Sequence, residues 1–234
     1  MACHAPVSSW LKEGWKLNHR GGSSRRIVLD IPEEILKEDL NQLKQKALDL
    51  GASMAEIIPA EWVDVDERVI LKCRVPMCPY YGKSPHCPPN SPDPDFMRRA
   101  LSRYKWAILF ALNVIPVSEF SDRPIQQKAG IGWTKKNMEI TGTLETTAFG
   151  FGHHLAMGFC QFNCHVALCD SKPCRVLQGN KCANPLKARP SMEGVGIDVF
   201  RLVTKAGWEI YPIYRSVDPA AVPKAMSVGI VFVF

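Results

Sequence analysis

The residues best suited to chemistry in this chain are cysteines, and they are grouped. Cys73, Cys78 and Cys87 follow a C-x4-C-x8-C pattern within fifteen residues. Cys160, Cys164, Cys169, Cys174 and Cys182 follow as C-x3-C-x4-C-x4-C-x7-C, five thiols in 23 residues. Thiolates are soft ligands that select zinc, copper(I) or iron–sulfur clusters. Pro76, Pro79, Pro85, Pro88 and Pro89 surround the first group. Proline fixes φ and removes an amide donor, so residues 73–90 read as a stiff irregular loop, neither a helix interior nor a central strand. Proline, glycine and charged neighbours argue against thiols that serve only as small buried hydrophobes.

Neither group contains the C-x2-C knuckle common in structural zinc sites. Irregular spacings of three to eight residues suit iron–sulfur ligation, in which the ligands are spread around a multi-atom cofactor. The expected cofactors are one or two [4Fe–4S] clusters, with zinc as the alternative, and the expected ligands are all eight internal thiols. Three arrangements are open: two sets of four; one cluster held by Cys73, Cys78, Cys87 and one later thiol; or a three-cysteine cluster with one open iron. An open iron would be a Lewis-acid site. His86, His153, His154 and His165 stand near the thiols as further candidates. Their ordinary role is as hydrogen-bonding core or surface residues. Cys3-His4 is a terminal pair that would need anchoring before it could ligate.

Composition sets the frame. The 234 residues are 46% hydrophobic and 22% charged, as in an ordinary globular protein. The first thirty residues lack an apolar signal core, so the expectation is a reducing cytoplasm, where clustered thiols indicate metal rather than disulfides. The longest apolar run, 106–117, is too short to span a bilayer. The formal charge of +6 is dispersed rather than gathered in a stripe, which argues against nucleic acid as a partner. Lys72, Arg74, Lys83, Arg175 and Lys181 lie beside the cysteines, where they can offset an anionic cluster. Gly82-Lys83-Ser84 resembles the end of a phosphate loop, but Met77 stands at the required upstream glycine, so that motif is rejected. Gly130-x-Gly132 alone is weak evidence for a nucleotide.

These groups must be carried by regular elements. The expected fold is α/β (or α+β): a single mixed sheet flanked by helices, with two cysteine-rich metal-binding loops. A flexible arm is expected over 1–25 and one cysteine-rich domain over 26–234. Strands are predicted at 26–29, 55–58, 63–71, 106–115 (central), 208–214 and 226–234 (interior). Helices are predicted from a capping-box pattern at Asp30 to a stop at Gly51, and at 93–104, 134–158 and 191–206. Residues 116–133, with Pro116, Pro124, Gly130 and Gly132, read as a loop.

The motif Cys73-x4-Cys78-Pro-Tyr-Tyr-Gly-Lys-x3-Cys87-Pro-Pro, with Pro173-Cys174-Arg175 and Ala188-Arg-Pro-Ser-Met-Glu193-x2-Gly196-Ile-Asp-Val199, resembles a family of uncharacterised prokaryotic predicted metal-binding proteins, known as a domain of unknown function. The resemblance covers roughly residues 50–234. It implies oxygen-sensitive iron–sulfur chemistry in anaerobes. It also implies metal ligation by Cys73, Cys78, Cys87, Cys160, Cys164, Cys169 and Cys174. The chain departs from the family's tighter C-x2-C-x2-C run and carries an extra Gly179-Asn-Lys-Cys182.

Together these readings give an iron–sulfur protein that transfers electrons, as a subunit or partner of an anaerobic redox complex. The rival readings are an enzyme or accessory factor with an open-iron cluster acting on a small substrate, and a zinc-stabilised interaction module.

Overall fold

The apolar run beginning at Trp106 forms the strand predicted for it, and the chain is layered on its two faces. The computed structural model describes residues 24–213 and 218–234. In chain order it has helix α1 (Glu33–Asp49), strand β1 (Met54–Pro59), helices α2 (Glu67–Arg74) and α3 (Pro94–Leu101), and strand β2 (Trp106–Asn113). Helices α4 (Ser118–Ser121) and α5 (Arg123–Gly150), strand β3 (Met157–Phe159), helices α6 (Cys164–Cys169) and α7 (Val199–Lys205), and strand β4 (Met226–Phe232) follow. The sheet order is β1-β2-β4-β3, with β2 and β4 interior as expected. The expected α/β class with one helix-flanked sheet is the fold that forms, but the sheet is antiparallel rather than mixed, each pairing of its strands running in opposite directions. Cys3, His4, nearly all of the expected arm, and Tyr214 at the end of the expected 208–214 strand lie outside the described residues.

Successive strand side chains point to opposite faces. Ala107, Leu109 and Ala111 of β2 pack with Ile230 and Phe232 of β4 against Met97, Leu101, Leu202 and Val203 of α3 and α7. Ile108, Phe110 and Leu112 pack on the other face against Leu40 and Leu43 of α1 and Ile140 and Leu144 of α5. Both faces are dry, which is why β2 and β4 read as continuous apolar runs rather than alternating ones. No helix among the described residues is long and apolar enough to cross a membrane.

Several predicted elements are corrected. Residues 63–71 are not a strand: Asp66 accepts the Arg68 amide at 2.8 Å and starts α2. Residues 116–133 are not a loop: α4 and the start of α5 fill them, with Pro124 in the first turn, where a missing N–H costs nothing. Helix α5 accordingly ends at Gly150 instead of near 158. The helix expected from Ser191 starts at Asp198, whose carboxylate accepts the Arg201 amide at 3.0 Å. No strand forms over 26–29 or 208–213. Helix α1 begins after Pro32, and Asp30 does not cap it.

One buried ionic cluster fastens the lead-in segment to the helical layer. Asp39 on α1 is fully buried and accepts from Arg25 Nη1 at 2.8 Å and pairs with His153 Nε2 at 2.9 Å. The Arg25 amide donates to Gly150 O at the end of α5, and its guanidinium lies over the Phe151 ring. Removing one partner from such a cluster strands the others without a counter-charge. Asp39→Ala is therefore expected to destabilise the protein by about 3–5 kcal/mol, read as a lowered urea midpoint with an unchanged slope.

Candidate metal centre

Helix α2 carries Cys73 in its last turn, so the first thiol sits on a helix, outside the irregular loop expected from residue 73 onward. Its N-terminus is tied to the segment bearing Glu193, because the Asp66 amide donates to Gly196 O at 2.8 Å. Beyond Val75 the chain folds back on itself. The Cys78 amide donates to Cys73 O at 2.9 Å, and Gly82, at φ +71°, donates to Pro88 O at 2.7 Å. Cys73, Cys78 and Cys87 then line one cavity of about 240 Å³, together with Tyr80, Ser191 and Glu193. Ser91 Oγ donates to Gly194 O at 2.7 Å and closes the 191–195 segment against this loop.

The second group is built around α6. Asn163 caps it, accepting the Val166 amide at 3.0 Å, and places Cys164 and Cys169 at its two ends. Asp170 and Ser171, both at positive φ, turn the chain back towards Cys174. Cys164, Cys169, Cys174 and Cys182 line a second cavity of about 370 Å³, with His86 and His165 in its wall. Asn184 joins the ends of this set. Its amide nitrogen donates to Cys182 Sγ at 3.3 Å, and its Nδ2 reaches Cys169 Sγ at 3.8 Å. Nothing in the cysteine spacing singled out Asn184, and its contact with Cys182 is made by a backbone N–H that carries no side-chain signal.

The two cavities share a wall. Ser84, buried, sits between Cys87 of one set and Cys164 of the other, and His86 Nδ1 lies 3.4 Å from Cys164 Sγ. Cys160 joins neither set. It is fully buried, and its thiol donates towards Arg189 O and Pro190 O at 3.4 and 3.5 Å. His153 is engaged with Asp39, and His154 is exposed; both follow α5 rather than riding on it, and neither lines a thiol cavity. His165 Nδ1 is buried without a hydrogen-bond partner among the described residues.

A fork of hydrogen bonds supports the second set. Arg189 Nε and Nη2 bind the two carboxylate oxygens of Glu145 on α5 at 2.9 and 2.7 Å. Glu145 Oε2 also accepts the Gly158 amide at 2.7 Å, and Arg189 Nη1 donates to Pro185 O and Ala188 O. One turn earlier, a Cβ at Gly142 would come within 2.5 Å of Leu186 O, so only glycine lets the returning segment lie this close to α5.

The donor chemistry fits a thiolate-bound cofactor. Either cavity is several times the roughly 30 Å³ that a water molecule occupies in the liquid. Among the described residues, no three His, Cys, Asp or Glu side chains are gathered tightly enough for a single ion. Burial pushes the Cys164 thiol up to about 12 and raises Cys73, Cys87 and Cys169 above the ordinary range. Burial likewise raises the Glu193 carboxyl. Thiolate ligation would therefore release protons on metal binding.

Residues 56–233 match the model of a family described as "Predicted metal-binding protein (DUF2284)", a span that contains both thiol groups. No match is found among curated proteins or among solved structures.

Two outcomes follow. Asn163→Ala removes the α6 cap and should cost about 1 kcal/mol, a fall of about 2–4 °C in the melting temperature of the metal-free protein. Cys164 holds its proton more tightly folded than unfolded, so its contribution is complete below the unfolded thiol value of roughly 8.5. That contribution is lost as pH rises through this value towards about 12. The urea midpoint of the metal-free protein should drop between neutral pH and about pH 10.5, and drop less in Cys164→Ser.

Proposed function

The chain belongs to this family of predicted metal-binding proteins, and on that premise we propose that it is an iron–sulfur protein of the reducing cytoplasm that transfers electrons to a redox partner or within a larger anaerobic complex. The observation that carries the reading is the gathering of seven thiols into two cavities that share the Ser84–Cys87 wall. Cys164, Cys169, Cys174 and Cys182 are the proposed ligands of one cluster. Cys73, Cys78 and Cys87 are those of the other. A bound cluster supplies one-electron chemistry. The chain supplies the fixed thiols, the N–H donors of Asn184 to two sulfurs, and a dry partition at Ser84. Such donors and burial tune cluster potentials. The irregular thiol spacings, without the C-x2-C knuckle common in structural zinc sites, support a cluster over a single zinc ion.

Anaerobic purification with iron and sulfide counting, and an EPR spectrum after dithionite reduction, tests this. The wild-type protein is expected to hold about eight irons and about eight sulfides per chain. Cys87→Ser and Cys169→Ser should each lose a different half of the spectrum. A colourless protein with zinc and no acid-labile sulfide would overturn the reading.

A further inference from the structure

The internal thiols do not divide four and four. Three line one cavity and four the other, while Cys160 is turned onto the backbone carbonyls of Arg189 and Pro190 and lines neither. The three-thiol cavity does contain one carboxylate, Glu193. Of the other side-chain oxygens in its wall, the phenols and the Ser191 hydroxyl are much weaker acids than a carboxyl, and the neutral Asn163 amide oxygen is engaged in capping α6.

Glu193 is held in place by its own segment. Ser191 Oγ donates to Glu193 Oε2 at 3.0 Å and itself accepts the Gly194 amide at 2.9 Å, so one carboxylate oxygen is positioned by the fold of its own segment. Among the described residues Glu193 makes no salt bridge, and no other acidic side chain lines this cavity. The segment itself cannot swing away freely. A Cβ at Gly194 would lie 3.1 Å from His86 O, and the Ser91 hydroxyl is bonded to the Gly194 carbonyl. Glu193 is half-buried; a carboxylate drawn away from water is ordinarily paired with a cation or coordinates a metal, and here its neighbours in the cavity are three thiols that can ligate the same metal.

We propose that Glu193 is the fourth, non-cysteine ligand of the metal centre held by Cys73, Cys78 and Cys87, and that Cys160 is a structural thiol. This rests on the iron–sulfur reading above and deepens it. A carboxylate is a harder donor than a thiolate, so a cluster held there would have one ligand of a different kind, and Glu193 would be the ligand with which a small molecule could compete. The four-thiol cavity offers no such ligand. The two centres would then differ in kind, one closed by thiols and the other with a single exchangeable position.

The test uses the full chain, purified anaerobically, with iron counting and EPR. Glu193→Gln is expected either to halve the iron, from about eight to about four per chain, or to keep it and shift the g-values of one of two signals. Glu193→Cys should restore full iron with a spectrum unlike the wild type. Cys160→Ser should keep both wild-type signals. The signal from the four-thiol centre, unchanged in every variant, reports that the fold is intact. A wild-type spectrum in Glu193→Gln, or loss of half the iron in Cys160→Ser, would overturn the assignment while leaving the iron–sulfur reading standing. Absence of iron and sulfide from the wild type would remove both.

Discussion

The contact on which the arrangement of both thiol groups depends is the fork between Arg189 and Glu145. Its two hydrogen bonds fix the returning segment against α5, and the third partner of Glu145, the Gly158 amide, fixes β3 to the same point. Cys160 lies two residues after Gly158, and Ser191 lies two residues after Arg189. The backbone bonds from Cys160 N to Pro190 O and from Met192 N to Cys160 O continue the join. A largely buried pair of this kind contributes little net stability once desolvation is counted. Its effect is on register, because slipping the segment would leave a guanidinium and a carboxylate buried apart. Thus a contact with no ligand of its own determines which residues face each cavity.

The sheet has a complementary role. Because helices cover both of its faces, the interior strands are fully dry and cannot expose functional groups along their length. The thiols are accordingly confined to places where the chain leaves the sheet: the end of α2, the turns after it, and the segment after β3. Strand β3 is only three residues long, and it is prolonged by a single bridge between Cys160 and Ser191. The edge of the sheet becomes a wall of the site rather than an open template for pairing.

Much of the frame was legible in the amino-acid order. Leu36, Leu40, Leu43 and Ala47 marked α1 by their spacing, and the apolar runs at 106 and 226 marked the two interior strands. The errors have a common physical source. Val69, Ile70 and Leu71 carry strand-like side chains, but the Asp66 cap and tertiary contact with residues 196–198 place them on a helix. Pro124 and the glycines at 130 and 132 suggest a break, yet proline belongs in a first helical turn, and the glycines are tolerated within a long helix. At the site, clustering was visible and partition was not. Cys160 belongs by spacing with Cys164, but the strand before it turns its thiol onto carbonyl groups. Glu193 and Asn184 were invisible as partners of the thiols because that relation is made only by the long return from residue 160 to residue 191.

Gly142 and Glu145 lie one helical turn apart on the same side of α5, one offering a gap and the other a charge to the same returning segment. The segment from Cys160 to Ser191 is therefore not a portable cassette. Grafted onto another scaffold, its cysteines alone would not reproduce the enclosure. The recipient would have to present a bare helical position followed one turn later by a carboxylate, because half of the instructions for this loop are written in a helix that contains no cysteine.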